Sequence, residues 1–206
     1  MIQLNQLNIN PPPFHGKDLM VRYDLYKLLR EELKNGSADL VTRESGQTIR
    51  NRIERDIGKE KEREVIALDF SKIGIIDFSC ADEVVAKLIS RLLGGEYGDK
   101  YIVLTGLNEN QLENIGVALE RKDLAAIAHT RNRDKILIGS LNNYLKDTLN
   151  KVQGKNTITA RELSKTMKLE MNTSGTRLLN LHKKRLVKRI EDIRNGGRVW
   201  IYEKIY

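Results

Sequence analysis

At 206 residues the chain can form two small domains, each with its own core, and it holds no run of 18 apolar residues and no basic-then-apolar leader, so a soluble, cytoplasmic protein without a membrane span is expected. Its single cysteine, Cys80, excludes an internal disulfide and a multi-cysteine zinc site, and His15, His129 and His182 are scattered without ligand spacing, so neither a metal nor a cofactor is expected. The formal net charge of +8 is confined to the last third: residues 140–206 carry 15 Lys and Arg against 6 Asp and Glu, whereas residues 1–139 carry 21 against 22, an asymmetry that points to nucleic acid as the partner of the C-terminal part.

Residues 1–37 form an N-terminal extension and a helix. An extended MIQLNQLNI leads to the stiff spacer Pro11-Pro12-Pro13, and the spacing of Leu19, Tyr23, Tyr26, Leu29 and Leu33 predicts a helix stopped by Asn35-Gly36. That helix can pack on the following domain or on a second subunit of a homodimer. From residue 38 strands and helices alternate. Ala38–Thr42 is a short strand candidate, and Ser45-Gly46 opens a helix carrying Ile49, Ile53 and Ile57, ended by Gly58. Val65–Leu68 is apolar throughout, which suits a strand buried on both faces, and Asp69 ends it. Ser79 and Asp82 have the spacing of a capping box that opens a helix with Val84, Leu88 and Leu92 inward. Gly94-Gly95 and Gly98 break the chain before the strand Tyr101–Leu104. A helix over Asn110–Arg121 and apolar runs at Leu124–Ala128 and Ile136–Ile138 follow. The expectation is a mostly parallel or mixed sheet with helices packed on it.

No glycine-rich phosphate loop follows any of these strands. Asp69, Asp77, Asp82 and Glu83 gather near the end of the central strand, but no histidine, cysteine pair or second cluster joins them, and a helix start attracts acidic residues through its dipole. No catalytic residue is assigned, and the chain is not expected to be an enzyme.

Residues 140–206 follow another plan. Leu141, Leu145, Leu149 and Val152 mark a helix closed by Gly154. Thr159-Ala160-Arg161-Glu162 is a capping box opening a short helix with Leu163 and Met167 inward. After a turn through Leu169 to Asn172 comes a third helix. Leu178, Leu181 and then Leu186 point to its core side; Thr173, Ser174, Arg177, Asn180 and Lys184, with Lys183 beside it, point outward. Arg suits guanine and Asn suits adenine in a major groove, so this face is suited to duplex DNA. Strands Leu186–Ile193 and Arg198–Tyr202 flank Asn195-Gly196-Gly197, a hairpin signal. Trp200 and Tyr202 are assigned to packing under that hairpin. With no aromatic residue in the third helix, duplex DNA is favoured over single strands.

The run ALDFSKIGIIDFSCADEVV, with Asp69-Phe70 and Phe78-Ser79-Cys80-Ala81-Asp82-Glu83, resembles the STAS-like domains of the anti-sigma-factor-antagonist type, over about residues 38–139. The resemblance implies a small α/β domain that docks a partner, often a histidine-kinase-like ATPase, through the loop and helix that Ser79 begins. Asp77, Phe78, Ser79, Asp82 and Glu83 become the partner-binding or switch residues. Phosphorylatable members keep a serine directly after the aspartate; here Phe78 stands there and Ser79 follows, where a phosphate would add about two negative charges. Residues 140–206 resemble the winged helix-turn-helix domain of bacterial transcription regulators. By that likeness Thr173–Lys184 is the recognition helix, and Arg194, Asn195 and Arg198 belong to the wing. The expected fold is therefore an α/β domain followed by a small α+β domain. The expected function is a DNA-binding transcriptional regulator with a STAS-like sensory or partner-binding part. The alternative is a partner-switching adaptor that binds proteins through both parts.

Overall fold

A computed structural model describes residues 20–33, 36–62, 64–194 and 197–205. The expectations for the N-terminal spacer, Leu19, Asn35 and Asn195-Gly196 lie outside these residues, as does the side chain of Arg194. The chain is of the α/β type, built around a mixed sheet.

The segment expected to be one helix from Leu19 is divided. Met20–Asp24 forms strand β1, and helix α1 covers Leu25–Leu33. Every residue of β1 pairs in parallel with the strand Val65–Asp69 (β2), from Met20 opposite Val65 to Asp24 opposite Asp69. The break falls at Asp24 because its carboxylate accepts the Lys27 amide at 3.0 Å and satisfies one of the free donors of the helix start. The predicted strand Ala38–Thr42 shrinks to a single bridge, Leu40 with Ile76. Here the Asp39 carboxylate takes the Ile75 amide at 2.9 Å, a local side-chain bond that competes with a regular ladder. Thr42 instead caps α2 (Arg43–Ile57), which Gly58 ends as expected.

Strands β3 (Tyr101–Leu107), β4 (Ala125–Thr130) and β5 (Lys135–Gly139) complete a sheet of order β1-β2-β3-β4-β5, parallel except for the last pair. Between β2 and β3 runs a continuous helical segment, α over Phe78–Ala81 (α3), π-helical over Asp82–Lys87, then α again over Leu88–Leu93 (α4). Helix α5 (Glu109–Glu120) links β3 to β4. Stepping one strand at a time in one direction with crossovers of one hand puts the helices on one face. Ile66, Leu68, Ile102, Leu104, Ala126 and Ala128 are buried there with the helices.

The other face carries Val65, Ala67, Tyr101, Val103, Ala125 and Ile127, and the C-terminal third buries it. This explains why β2 and β3 lack polar alternation: both of their faces are covered. The C-terminal third comprises α6 (Asn143–Lys155), β6 (Thr157–Thr159), α7 (Ala160–Met167), α8 (Met171–Lys183), β7 (Val187–Arg194) and β8 (Gly197–Lys204), with an antiparallel sheet of order β6-β8-β7. Helix α6 does not stop at Gly154; it runs to Lys155, and Asn156 turns the chain with φ of 65°. The capping box forms as expected, the Thr159 side chain accepting from the Glu162 amide and Glu162 reaching back to the Thr159 amide. Leu145, Leu149, Leu163, Leu178, Leu181 and Tyr202 belong to the same buried cluster as the sheet residues, so the two parts share a core. Polar contacts fasten the seam: Arg185 pairs with Asp99 and its guanidinium lies 5.7 Å from the Tyr101 ring, while Lys184 reaches Asp123 at 3.7 Å. Among the described residues no helix is long and apolar enough to cross a membrane.

Candidate nucleic-acid interface

Helix α8 sets the geometry of this face. Ser174, Leu178 and Leu181 fall at i, i+4 and i+7, and all three are buried. Ser174 therefore belongs to the core stripe and not, as its residue type suggested, to the outward face. Its hydroxyl has no hydrogen-bond partner among the described residues. The outward stripe is Asn172, Thr173, Thr176, Arg177 and Asn180, which with Tyr144 of α6 line an open depression of about 420 Å³. The Arg177 guanidinium lies 5.2 Å from the Tyr144 ring, and Tyr144 is 45% exposed. Stacking on an aromatic face holds a guanidinium ready while leaving its edge to donate. Tyr144 and Thr176 escaped sequence reasoning. Tyr144 stands out only as an exposed aromatic beside the apolar stripe of α6, and it is the packing of α6 on α8 that brings it to Arg177.

Lys183 is exposed at the end of α8, whereas Lys184 is turned to the seam and engages Asp123. The N-terminus of α8 has no side-chain cap, so its first amides are open to an acceptor such as a phosphate.

The β7–β8 hairpin stands beside this helix. Arg198, Trp200 and Tyr202 share one face of β8, opposite Ile193, Glu191 and Arg189. Tyr202 is buried as expected. Trp200 is not: it is 40% exposed, with the Arg189 guanidinium 3.6 Å from its ring centre. It sits further out along the hairpin than the helices can cover. Arg198 is exposed, its Nε 3.2 Å from Glu191. A groove of about 840 Å³ separates the hairpin from the starts of α7 and α8, and Arg161, Met171, Gly175, Arg198 and Trp200 are among its walls.

The residues expected to dock a partner on the α/β part are placed differently. The N-cap of α3 is Asp77, not Ser79: the Asp77 carboxylate accepts the Cys80 amide at 2.7 Å, and the Ser79 hydroxyl donates to it at 2.9 Å. Aspartate two residues earlier leaves Ser79 inside the helix. Phe78 is half-buried beneath the Arg121 guanidinium, 4.3 Å from its ring. Asp82 and Glu83 are buried. Asp82 pairs with Lys122 at 3.2 Å, and Glu83 accepts from Arg43 at 2.8 Å and from Arg50 and Lys87. Burial alone would raise the Glu83 pKa, but Lys87, Arg50 and Arg43 outweigh it and hold the carboxyl below its ordinary value. Asp69 has other partners again, Arg22 at 3.3 Å and the Ser71 amide at 2.9 Å. The four carboxylates that look like one cluster in the sequence are thus taken up in internal structural bonds, Asp82 and Glu83 sharing Arg43 while Asp69 and Asp77 have partners of their own. Compared with models of known protein families and with curated proteins, the chain matches none.

Proposed function

We propose that this chain is a DNA-binding transcriptional regulator whose C-terminal third is a winged helix-turn-helix unit and whose α/β part is a STAS-like module that receives a signal or a partner. The observation that carries this reading is the outward stripe of α8, Thr173, Thr176, Arg177 and Asn180, displayed on the third of the chain that holds the whole basic surplus. The order helix, strand, helix, helix, strand, strand, with a three-stranded antiparallel sheet, supports the winged-helix reading. In this reading Arg177, steadied by Tyr144, and Asn180 contact base edges in the major groove. Lys183, the amides that open α8 and the hairpin residue Arg198 contact phosphates. The protein acts in the cytoplasm, on duplex DNA.

The adaptor alternative loses part of its expected docking surface, because Asp82 and Glu83 are occupied by internal ion pairs; of the residues expected to dock a partner on the α/β part, Asp77, Phe78 and Ser79 are left. The test is fluorescence anisotropy of the full-length protein with a library of labelled duplexes over a range of salt. Binding that falls steeply as salt rises is expected. Arg177→Ala should flatten the preference among sequences by about 1–3 kcal/mol, and Arg198→Ala should weaken all sequences alike, lowering the salt slope by about one unit. Absence of duplex binding at about 50 mM salt would refute the proposal.

A further inference from the structure

Strands β1 to β4 run parallel and end along one edge of the sheet, and an open crevice of about 710 Å³ lies there. Its lining is cationic. Arg22, Arg131 and Arg133 face a single carboxylate, Asp69, although residues 1–139 as a whole carry no positive surplus.

Each arginine is set by the backbone that carries it. Arg22, on β1, has its guanidinium 3.3 Å from Asp69, yet its side chain is 53% exposed while that of Asp69 is 12% exposed. The other Asp69 oxygen is taken by the Ser71 amide. Arg131 lies across the mouth, its guanidinium 3.3 Å from the Ile73 carbonyl and 3.5 Å from the Gly106 carbonyl. Arg133 is exposed in the β4–β5 turn with φ of 68°, and it makes no ion pair among the described residues. The floor is drawn tight at Gly106, where the β3–β4 register shifts. Its φ is 72°, and a Cβ there would stand 2.8 Å from the Ser71 amide nitrogen. Thr130 and Ser71 add hydroxyls to the rim.

We propose that this crevice binds a small phosphorylated molecule, its phosphoryl group held by Arg22, Arg131 and Arg133. Three guanidinium groups against one carboxylate leave a surplus of two positive charges, which matches a phosphate dianion, and the planar fork of arginine fits its oxygens in pairs. The volume lies within the range of about 300–1,000 Å³ typical of small-molecule sites, so the ligand extends beyond the phosphoryl group itself. None of these residues belongs to α8 or the hairpin, so the inference stands apart from the DNA-binding reading.

The test is isothermal titration of the full-length protein, in a phosphate-free buffer, with inorganic phosphate and with inorganic pyrophosphate. Saturable binding of one pyrophosphate per chain is expected. It should weaken at least about tenfold in Arg22→Gln/Arg133→Gln, the loss of two charge-assisted contacts, and stay at the wild-type level in Arg198→Gln. Arg133→Gln alone, which breaks no ion pair among the described residues, should keep the wild-type melting temperature and still weaken binding. Three results would overturn the proposal: no saturable binding of either probe at millimolar concentration, wild-type affinity in Arg133→Gln, or loss of binding in Arg198→Gln, which would place the anion on the DNA-facing surface instead.

Discussion

Replacing Glu83 by Gln asks whether this carboxylate is an internal anchor or a docking residue. Its side chain is 3% exposed, and so is nearly dry; that of Arg50 is 8% exposed. Gln keeps the shape and removes the charge, leaving Arg50 buried with Glu54, 3.3 Å from its Nε, as its remaining ion-pair partner. Removing one partner of a buried pair costs about 3–5 kcal/mol. Arg43 and Lys87 are 55% and 37% exposed, rehydrate readily and add little, so the low end, about 3 kcal/mol, is the expected loss. At about 2–4 °C per kcal/mol for a chain of this size, the melting temperature should drop by about 6–12 °C. Thermal unfolding at pH 7, followed by far-ultraviolet circular dichroism, measures it. Because the folded carboxyl titrates below its unfolded value, its contribution is present above the unfolded pKa and disappears as pH falls through the folded one. Wild type and Glu83→Gln should therefore converge in acid, as the pH falls through the lowered folded pKa, beneath the unfolded value of about 4.3. A variant melting within about 2 °C of wild type at pH 7 would refute the anchor role.

Ser174→Ala removes a buried hydroxyl that has no hydrogen-bond partner among the described residues, so DNA affinity should be unchanged and stability equal or higher by up to about 1 kcal/mol; weaker DNA binding would return Ser174 to the contact face. Trp200 is the sole tryptophan and lies in the groove beside the hairpin, so duplex DNA should quench or shift its fluorescence, and an unchanged spectrum at saturating DNA would remove the hairpin from the interface. His129 and His182 have pKa values lowered by burial, with Lys135 adding to the effect at His129. Their neutral forms favour the folded state, so the stability they confer is present above the unfolded pKa of about 6.5 and is lost as pH falls below it. The urea midpoint should drop between about pH 7.5 and 5.5, and His182→Gln should reduce the drop; an unchanged midpoint would contradict this.

What could be read in the sequence was local. The Thr159–Glu162 capping box, the apolar runs of β2 to β5 and the stop at Gly58 follow from short-range chemistry and occur where expected. What could not be read was tertiary. Met20–Asp24 fits a helical spacing as well as a strand, and only pairing with β2 decides. The apolar pattern of β2 and β3 announced two buried faces without saying that α6 to β8 would cover one of them. Serine at 174 and glutamate at 83 were placed by residue type, yet their burial depends on angles around α8 and on cations from α2, distant in the chain. The Arg177–Tyr144 contact likewise depends on two helices 16 residues apart meeting, from Lys155 to Met171.

The shared core also decides how DNA binding must be measured. Residues 140–206 bury the sheet face that contains Tyr101 and Val103, so the whole chain is the proper sample. The most direct test is the affinity of the full-length protein for its best duplex from a selected library, compared with a scrambled duplex, for wild type and Arg177→Ala. The account predicts tight, salt-sensitive binding by wild type and a preference that collapses in Arg177→Ala while scrambled DNA is bound as before. No binding by wild type, or a preference that survives Arg177→Ala intact, would contradict it.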